Sequence, residues 1–424
     1  MAERIVGIDF GTSTSVIRVK RYQNGVPIGD SAHFDSVTFN MGNTMVPTLI
    51  QECQGARFYG YDAQVKRKKM VLHQNFKVEL ESDDEEKRNQ ARNLTSEFFS
   101  FLAKSYNDQS ESGHLGKPDD NVKTLVSYPV KWSDETKRFM VETAKKAGFP
   151  NVEGVDEANA AINCVLVQNK DYIKKNGYFI GNESVNILLV DMGAGTTDLV
   201  LCKYFIKQDK TEIMCTWPVS GDILFGGKEV DEILRDYIGK CLPEEVSESV
   251  LKRVGTDKFK IWKETEISPS LKSNDKVEFF SDLDQILEFL EIEDVDYSID
   301  REIFEQAAKD YLCKFTQLIC GCIEHGNMSA GDVDLVILTG GHSQWYFVNE
   351  ILSSKMRQFG DAGLKKVIVD SNRIIPIVRP QETVALGLVY SQLNGATDSV
   401  SGPEYSAESE TKQGFVRENS VDND

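Results

Sequence analysis

Asp9 closes an apolar stretch and is followed at once by Gly11, Thr12 and Ser13, in IVGIDFGTSTSVIRV over residues 5–19. The order returns in ILLVDMGAGTTDLVL over residues 187–201, where Asp9 matches Asp191, Gly11 matches Gly193 and Thr14 matches Thr196 without a gap. Either turn alone fits an ordinary hairpin whose Asp braces it. The repeat points to two related lobes, each opening with a strand, a turn and a strand. An Asp at the end of an apolar strand puts its carboxylate at the mouth of a sheet. Glycines let backbone N–H groups close on an anion, and Thr or Ser hydroxyls add donors. A carboxylate beside a phosphate is repulsive unless a cation lies between them. Asp9 and Asp191 facing across a cleft therefore predict a hydrated Mg²⁺. VIRVK alternates, so the chain leaves the first turn as a strand. A Walker A loop carries a Lys and opens a helix, and a dinucleotide fingerprint also leads into a helix, so neither fits.

Two further constellations join the pair. Gly340 and Gly341, in VDLVILTGGHSQ, end an apolar strand just before a helix. Such a turn lets a nucleoside or α-phosphate touch the backbone at a helix N-terminus; it also fits a plain strand-to-helix connection. VDEANAAI at 155–162 echoes PQETVALG at 380–387, with Glu157 against Glu382 and small residues after each. Small residues permit close helix contact, so these two helices are expected to cross between the lobes, as a hinge or as ordinary packing.

The positioning elements read as α/β. IVGIDF, SVIRVKRY, SAHFDSVTF, TMVPTLIQE and NVKTLVSYPV have strand character, and residues 61–115 turn charged and helical. SDETKRFMVETAKKAG reads as a helix with Ser133 as N-cap and Gly148 as its stop. EANAAINCVLVQN, DLDQILEFLE and WYFVNEILSSKMRQF are further helices, and KVIVD and RPQETVALGLVYSQL close the fold. The chain has 424 residues and a formal charge of −19, which disfavours non-specific binding to nucleic acid or anionic membrane. Its eight cysteines lack a Cys-x-x-Cys pair; Cys313, Cys320 and Cys322 read as buried thiols rather than a metal site. The chain enters a strand without a basic-then-apolar leader, and no apolar run reaches a membrane span, so a cytoplasmic location is expected. Beyond Gly395 the tail is polar, acidic and Ser-rich, and residues 396–424 are expected to be disordered.

Taken in order, GIDFGTSTS, SYPVKWSDETKR, VDEANAAI, VDMGAGTTDL, GDILFGG, LTGGHS and RPQETVALGL resemble the nucleotide-binding domain of the DnaK-type heat-shock protein 70 family, within the actin-like ATPase superfamily, over residues 4–395. The resemblance implies an actin-like ATPase fold: two lobes, each with a ribonuclease-H-like core and an inserted subdomain, around a cleft that holds ATP or ADP with Mg²⁺. Residues 1–186 with 366–395 would form lobe I, with an insert at about 42–118. Residues 187–365 would form lobe II, with an insert at about 229–303. By motif, Asp9 and Asp191 would hold the metal through water. Gly11, Thr12 and Ser13 would meet the phosphates from one lobe, and Gly193, Ala194, Gly195 and Thr196 from the other. Gly226 and Gly227 would lie near the phosphates, and Gly340, Gly341 and Ser343 beside the adenosine. Lys77 would be the catalytic lysine, with Glu157 positioning the attacking water or the metal shell; Asp191 and Thr196 complete the catalytic set.

The sequence also departs from the family pattern. Ala194 replaces a glycine, Ala158 follows Glu157 where proline is usual, Gln344 stands for an arginine, and Glu264 and Thr265 fall among the adenosine contacts. Only 31 residues follow Leu393, too few for a peptide-binding β-sandwich, so the reading is an ATP-binding, slowly hydrolysing switch without that part. A non-catalytic nucleotide-binding scaffold and an actin-like filament former are the alternatives. A small-molecule kinase ranks below both, because no catalytic Asp over an acceptor hydroxyl is evident. The charged stretch at 61–115 is not expected to offer a strand-like assembly surface. Beyond nucleotide, a protein partner or client is implied.

Overall fold

The computed structural model describes residues 2–390 except 30–33, 116–120, 178–180, 209, 218–224, 279, 294, 354–355, 357–373, 376 and 378. Strands β1 (Ala2–Phe10), β2 (Thr14–Gln23), β3 (Val26–Pro27), β4 (Asp35–Ser36) and β5 (Met45–Pro47) are followed by β6 (Leu49–Cys53), β7 (Ala56–Tyr59) and β8 (Met70–Gln74). Then come β9 (Asn121–Tyr128), β10 (Val152–Asp156), β11 (Ser184–Met192), β12 (Thr197–Phe205), β13 (Lys210–Trp217), β14 (Leu335–Thr339) and β15 (Ile374–Ile375).

Two of the sheets have one topology. The first runs β10-β9-β1-β2-β3, and the second β15-β14-β11-β12-β13 if read from its other end. In each, a long antiparallel hairpin has two parallel strands added on the side of its first strand. The internal repeat of the sequence is thus a repeat of architecture. The apolar runs IVGIDF and ILLVDM are buried because each lies inside its sheet with neighbours on both edges.

The helices are α1 (Glu85–Glu111), α2 (Asp134–Ala147), α3 (Glu157–Gln168), α4 (Lys170–Lys175), α5 (Gly227–Cys241), α6 (Glu244–Val254), α7 (Thr256–Trp262), α8 (Ser268–Lys272) and α9 (Ser281–Phe289). They continue with α10 (Arg301–Ala307), α11 (Lys309–His325), α12 (Tyr346–Leu352) and α13 (Thr383–Tyr390). Ser133 caps α2 through the Thr136 N–H, and Gly148 ends it at φ 106°, as the sequence predicts. Helices α3 and α13 cross tightly: a Cβ at Gly387 would collide with the Ala160 carbonyl oxygen. α13 lies on β1, β2 and β9, although it follows a strand of the second sheet. One apolar core runs from Ile5 and Leu125 through Ala161 and Val165 to Ile187, Ile337 and Leu388, and so joins both sheets.

The structure corrects several expectations. Residues 61–84 form no α-helix, only 3₁₀ turns at Gly60–Gln64 and Val78–Glu81 and the strand β8. Gln51 Nε2 bonds the Ala63 and Val65 carbonyls at 2.8 and 2.9 Å, Arg67 stacks 3.7 Å over the Phe58 ring, and Lys69 and Asn75 adopt positive φ. These contacts override helix propensity and place β8 on the edge of the three-stranded sheet β7-β6-β8. Met70, Val71 and Leu72 are exposed there, so a strand-like surface exists where none was expected. In SAHFDSVTF the described strand is limited to β4. β15 pairs with β14 at the edge of the second sheet. KVIVD, the end of WYFVNEILSSKMRQF and the acidic tail lie outside the described residues. None of the eight cysteines is in a disulfide, and among the described residues no group of three or more His, Cys, Asp or Glu is arranged to hold a metal. Among them, too, no helix is long and apolar enough to cross a membrane.

Candidate nucleotide site

The two glycine-rich turns face each other. A Cβ at Gly195 would sit 3.7 Å from Thr12 Cγ2, so the turn after β1 and the turn after β11 meet across a narrow cleft. The first turn is braced from β5 and β6. Thr48 Oγ1 donates to the Gly11 carbonyl, Thr48 N–H donates to the Ser13 carbonyl, and Thr48 Oγ1 meets Ser15 Oγ, each at 2.9 Å. The second turn is closed by Gly193 N–H to Thr196 O at 2.9 Å and held by the start of α5. Gly227 N–H bonds Gly193 O at 3.1 Å, and Lys228 N–H bonds Ala194 O at 2.8 Å. Gly226 and Gly227 therefore lie directly against residues 193–195.

The carboxylates converge below these turns. Ser127 Oγ donates to Asp9 Oδ1 at 3.1 Å. Lys77, buried at the head of a 3₁₀ turn (Val78–Glu81), bonds Glu157 Oε1 at 2.7 Å, and its ammonium lies 5.7 Å over the Trp132 ring. Burial, with the nearby Glu157 charge, pushes Asp9 up to about 7, against Lys77 and the Ser127 hydroxyl. Burial pushes Asp191 up to about 8, helped by the charges of Glu157, Asp198 and Asp9 and opposed by Lys77. Burial also raises Glu157, with Lys77 opposing. For Lys77 burial works downward, but Glu157, Asp9 and Asp191 together hold its pKa above the usual lysine value. Asp9, Asp191, Glu157 and Lys77 are thus one electrostatic group.

Gly340 fixes the back of Asp191. It has φ 77°, and a Cβ there would lie 2.6 Å from Asp191 Oδ1 and collide with the Met192 carbonyl. Its N–H bonds Pro380 O at 3.1 Å, and Ser343 Oγ returns to Gly340 O at 2.8 Å. Gly341 packs under Gln381, whose Nε2 would be 2.7 Å from a Cβ. This turn leads into a short 3₁₀ segment, Gly341–Gln344, rather than directly into α12.

Several residues of the site carried no assigned role in the sequence reading. Asp198 sits opposite Asp191 in the β11–β12 register. The gapless repeat contains the signal, since it sets Val16 against Asp198. Lys263, in a π-helical turn (Lys263–Ile267), is buried and bonds Asp231 Oδ1 and Gly227 O, both at 2.6 Å. His342, also buried, shares a 2.9 Å hydrogen bond with Tyr311 Oη. Lys263 Nζ and His342 Nδ1 both crowd Gly227. No local spacing announces either contact, because each is made between elements distant in sequence. Glu264 and Thr265 are exposed.

A Mg²⁺ ion fits Asp9 and Asp191 in one respect that the structure tests. Their raised affinity for protons marks negative charge short of a partner, which a divalent cation relieves.

Comparison with known proteins bears on the whole constellation. The profile of the family described as "Hsp70 protein" matches residues 15–366. A "Heat shock protein 70 homolog" of Acanthamoeba polyphaga mimivirus is 21% identical over 378 residues, covering 81% of this chain and 37% of the relative. "Chaperone protein dnaK" of Cyanidium caldarium is 23% identical over 407 residues, covering 91% and 60%. The chloroplastic "Stromal 70 kDa heat shock-related protein" of Pisum sativum is 23% identical over 418 residues, covering 91% and 52%. The chain spans 37–60% of the length of these curated relatives. With a family match across most of its length, two like sheets around one cleft and the paired Asp turns at its floor, the chain belongs to the Hsp70 family, as a divergent member with the actin-like ATPase fold.

Proposed function

We propose that the chain is a Mg²⁺-dependent, ATP-binding and slowly ATP-hydrolysing switch of the DnaK type, a chaperone-like protein that passes its nucleotide state to a protein partner or client. One observation carries the reading: Asp9 and Asp191, from two sheets of like topology, share an electrostatic site with Lys77 and Glu157 beneath two facing glycine turns. In this reading Thr12 and Ser13 donate to the phosphates from one side, and residues 193–196 from the other. Gly340, Gly341 and Ser343 flank the adenosine. Bound Mg²⁺ supplies neutralisation of phosphate charge, and Asp9 and Asp191 hold it through water. Lys77 faces the charge that develops on the transferred phosphoryl group. Glu157, oriented by its 2.7 Å bond to Lys77, positions the attacking water. Phosphoryl transfer to water asks mainly for positioning and charge stabilisation, so no covalent nucleophile is required. The lobes divide near residue 186, with α13 returning to the first, and the protein works in the cytoplasm.

Calorimetric titration with ATP, with and without Mg²⁺, tests the reading. Metal-dependent binding is expected, and Asp191→Ala weakens it. Lys77→Ala lowers hydrolysis by roughly 100-fold, the loss typical of removing one charge-stabilising donor, with affinity changed little. Absence of metal-dependent binding, or the opposite ranking of the two variants, would sink it. A second reading, a nucleotide-binding scaffold without turnover, draws on Lys263 being committed to Asp231 and Gly227 O and on the Ala194 methyl beside the phosphate turn. Phosphate release by the wild-type chain above that of Asp9→Ala excludes it.

A further inference from the structure

The hairpin that bears Asp191 carries a second acid with no counterpart in the first. Asp191 pairs in register with Asp198, whereas Asp9 pairs with Val16. Asp198 Oδ1 lies 2.7 Å from Lys131 Nζ. Lys131 stands in the turn from β9 to α2, on the side of the first sheet, so this ion pair crosses the cleft. The turn that presents it is held at both ends. Trp132 N–H bonds Pro129 O at 3.3 Å, and Ser133, the cap of α2, donates to Glu81 Oε1 at 2.8 Å. Behind the pair is a cavity of about 20 Å³ that Glu157, Asp191, Leu189 and Trp217 also line. That volume is close to what one water molecule needs.

We propose that Lys131 is a positioning residue: its ammonium clasps the two lobes through Asp198 and sets how fast the cleft opens to release nucleotide. The inference rests on the nucleotide-binding reading above. Any motion that parts the lobes at this edge must separate the ammonium from the carboxylate. Lys131 does not touch the reacting group in that reading; Lys77 occupies the bond to Glu157. The two side chains are 26% and 27% exposed, so the pair is partly screened by solvent and by salt. The clasp is therefore modest in strength and weakens as ionic strength rises. An apolar contact at the same edge would not follow that dependence.

Stopped-flow dissociation of a fluorescent ADP from the full chain, measured over a range of NaCl concentrations, tests the clasp. Release from the wild-type protein accelerates with salt. Lys131→Met releases about 2–5-fold faster at low salt, as loss of a partly exposed ion pair implies, and its rate responds little to salt. Lys131→Glu is faster still, while Lys131→Arg restores the slow rate and the salt slope. Melting temperatures without nucleotide separate these effects from misfolding. If Lys131→Met is less stable, the Arg variant and the wild-type salt slope still decide. A Met variant with the wild-type rate and slope overturns the clasp, as does an Arg variant as fast as Met. A wild-type chain that fails to bind the labelled ADP removes instead the nucleotide reading beneath it.

Discussion

Lys77 and Lys131 divide one acidic cleft between them: the first is buried on Glu157, the second is partly exposed on Asp198. A buried ion pair costs more to break than a screened one, because removing one partner strands the other charge away from water. His342 is the other residue whose environment decides its chemistry. It is enclosed by Tyr311, Lys263, Trp345 and Phe347, and burial, with the neighbouring Lys263 charge, holds its pKa well below the usual histidine value. The folded protein therefore keeps the ring neutral, while the unfolded chain takes up a proton below about pH 6.5. Stability from this residue is present above that pH and is lost as pH falls through it. Urea unfolding at pH 7.5 and 5.5 checks this: the gap between wild type and His342→Gln should shrink at the lower pH. A gap that does not change with pH would count against a neutral buried ring.

At the scale of elements, the crossing of α3 and α13 is the closest joint in the molecule that the glycines reveal. Gly387 faces the Ala160 carbonyl with no room for a methyl group, and Gly7 on β1 likewise faces the Ala385 carbonyl at 2.7 Å from a Cβ. Two small positions thus let α13 lie flat on both α3 and the first sheet. Gly387→Ala is expected to force the helices apart, with an overpacking cost of about 1–3 kcal/mol. A thermal melt of the variant indistinguishable from wild type would show that the crossing tolerates separation. The ion pair of Arg18 with Glu382, at 2.8 Å and largely buried, anchors the start of α13 to β2. It mirrors the pairing of Glu157 with Lys77 at the start of α3, so the two echoed glutamates each hold a cation, in different settings.

For the whole molecule, the consequence of two sheets with one topology is that neither makes the site alone. On the proposed reading, nucleotide and metal bound between them would stabilise the native arrangement and not the unfolded chain, so apparent stability would rise with their concentration. A melting series with ATP or ADP, each with and without Mg²⁺, should show an increase that requires the metal, worth about 2.7 kcal/mol at a ligand concentration of 100 times Kd. In Asp191→Ala the metal-dependent part disappears while the metal-free melt is retained. A Mg²⁺-independent shift of the same size would place the ligand away from the paired Asp turns.

The sequence by itself determined the two Asp turns, their equivalence, the capped helix from Ser133 to Gly148 and the crossing of two small-residue helices. Each follows from local order: strand alternation, turn chemistry or a repeat visible without coordinates. It also carried, unused, the asymmetry of Val16 against Asp198. Only the tertiary structure decided that Lys131 meets Asp198, that Lys263 is committed to Asp231, and that residues 61–84 form turns and an edge strand rather than helix. It likewise decided that α13 packs on the sheet opposite the one that precedes it. These outcomes depend on which surfaces are brought together when distant segments bury their apolar faces, and on charges whose partners lie far along the chain, as Lys131 and Asp198 or Arg18 and Glu382 do. Spacing along the chain does not encode such distances; the shared core between the sheets does.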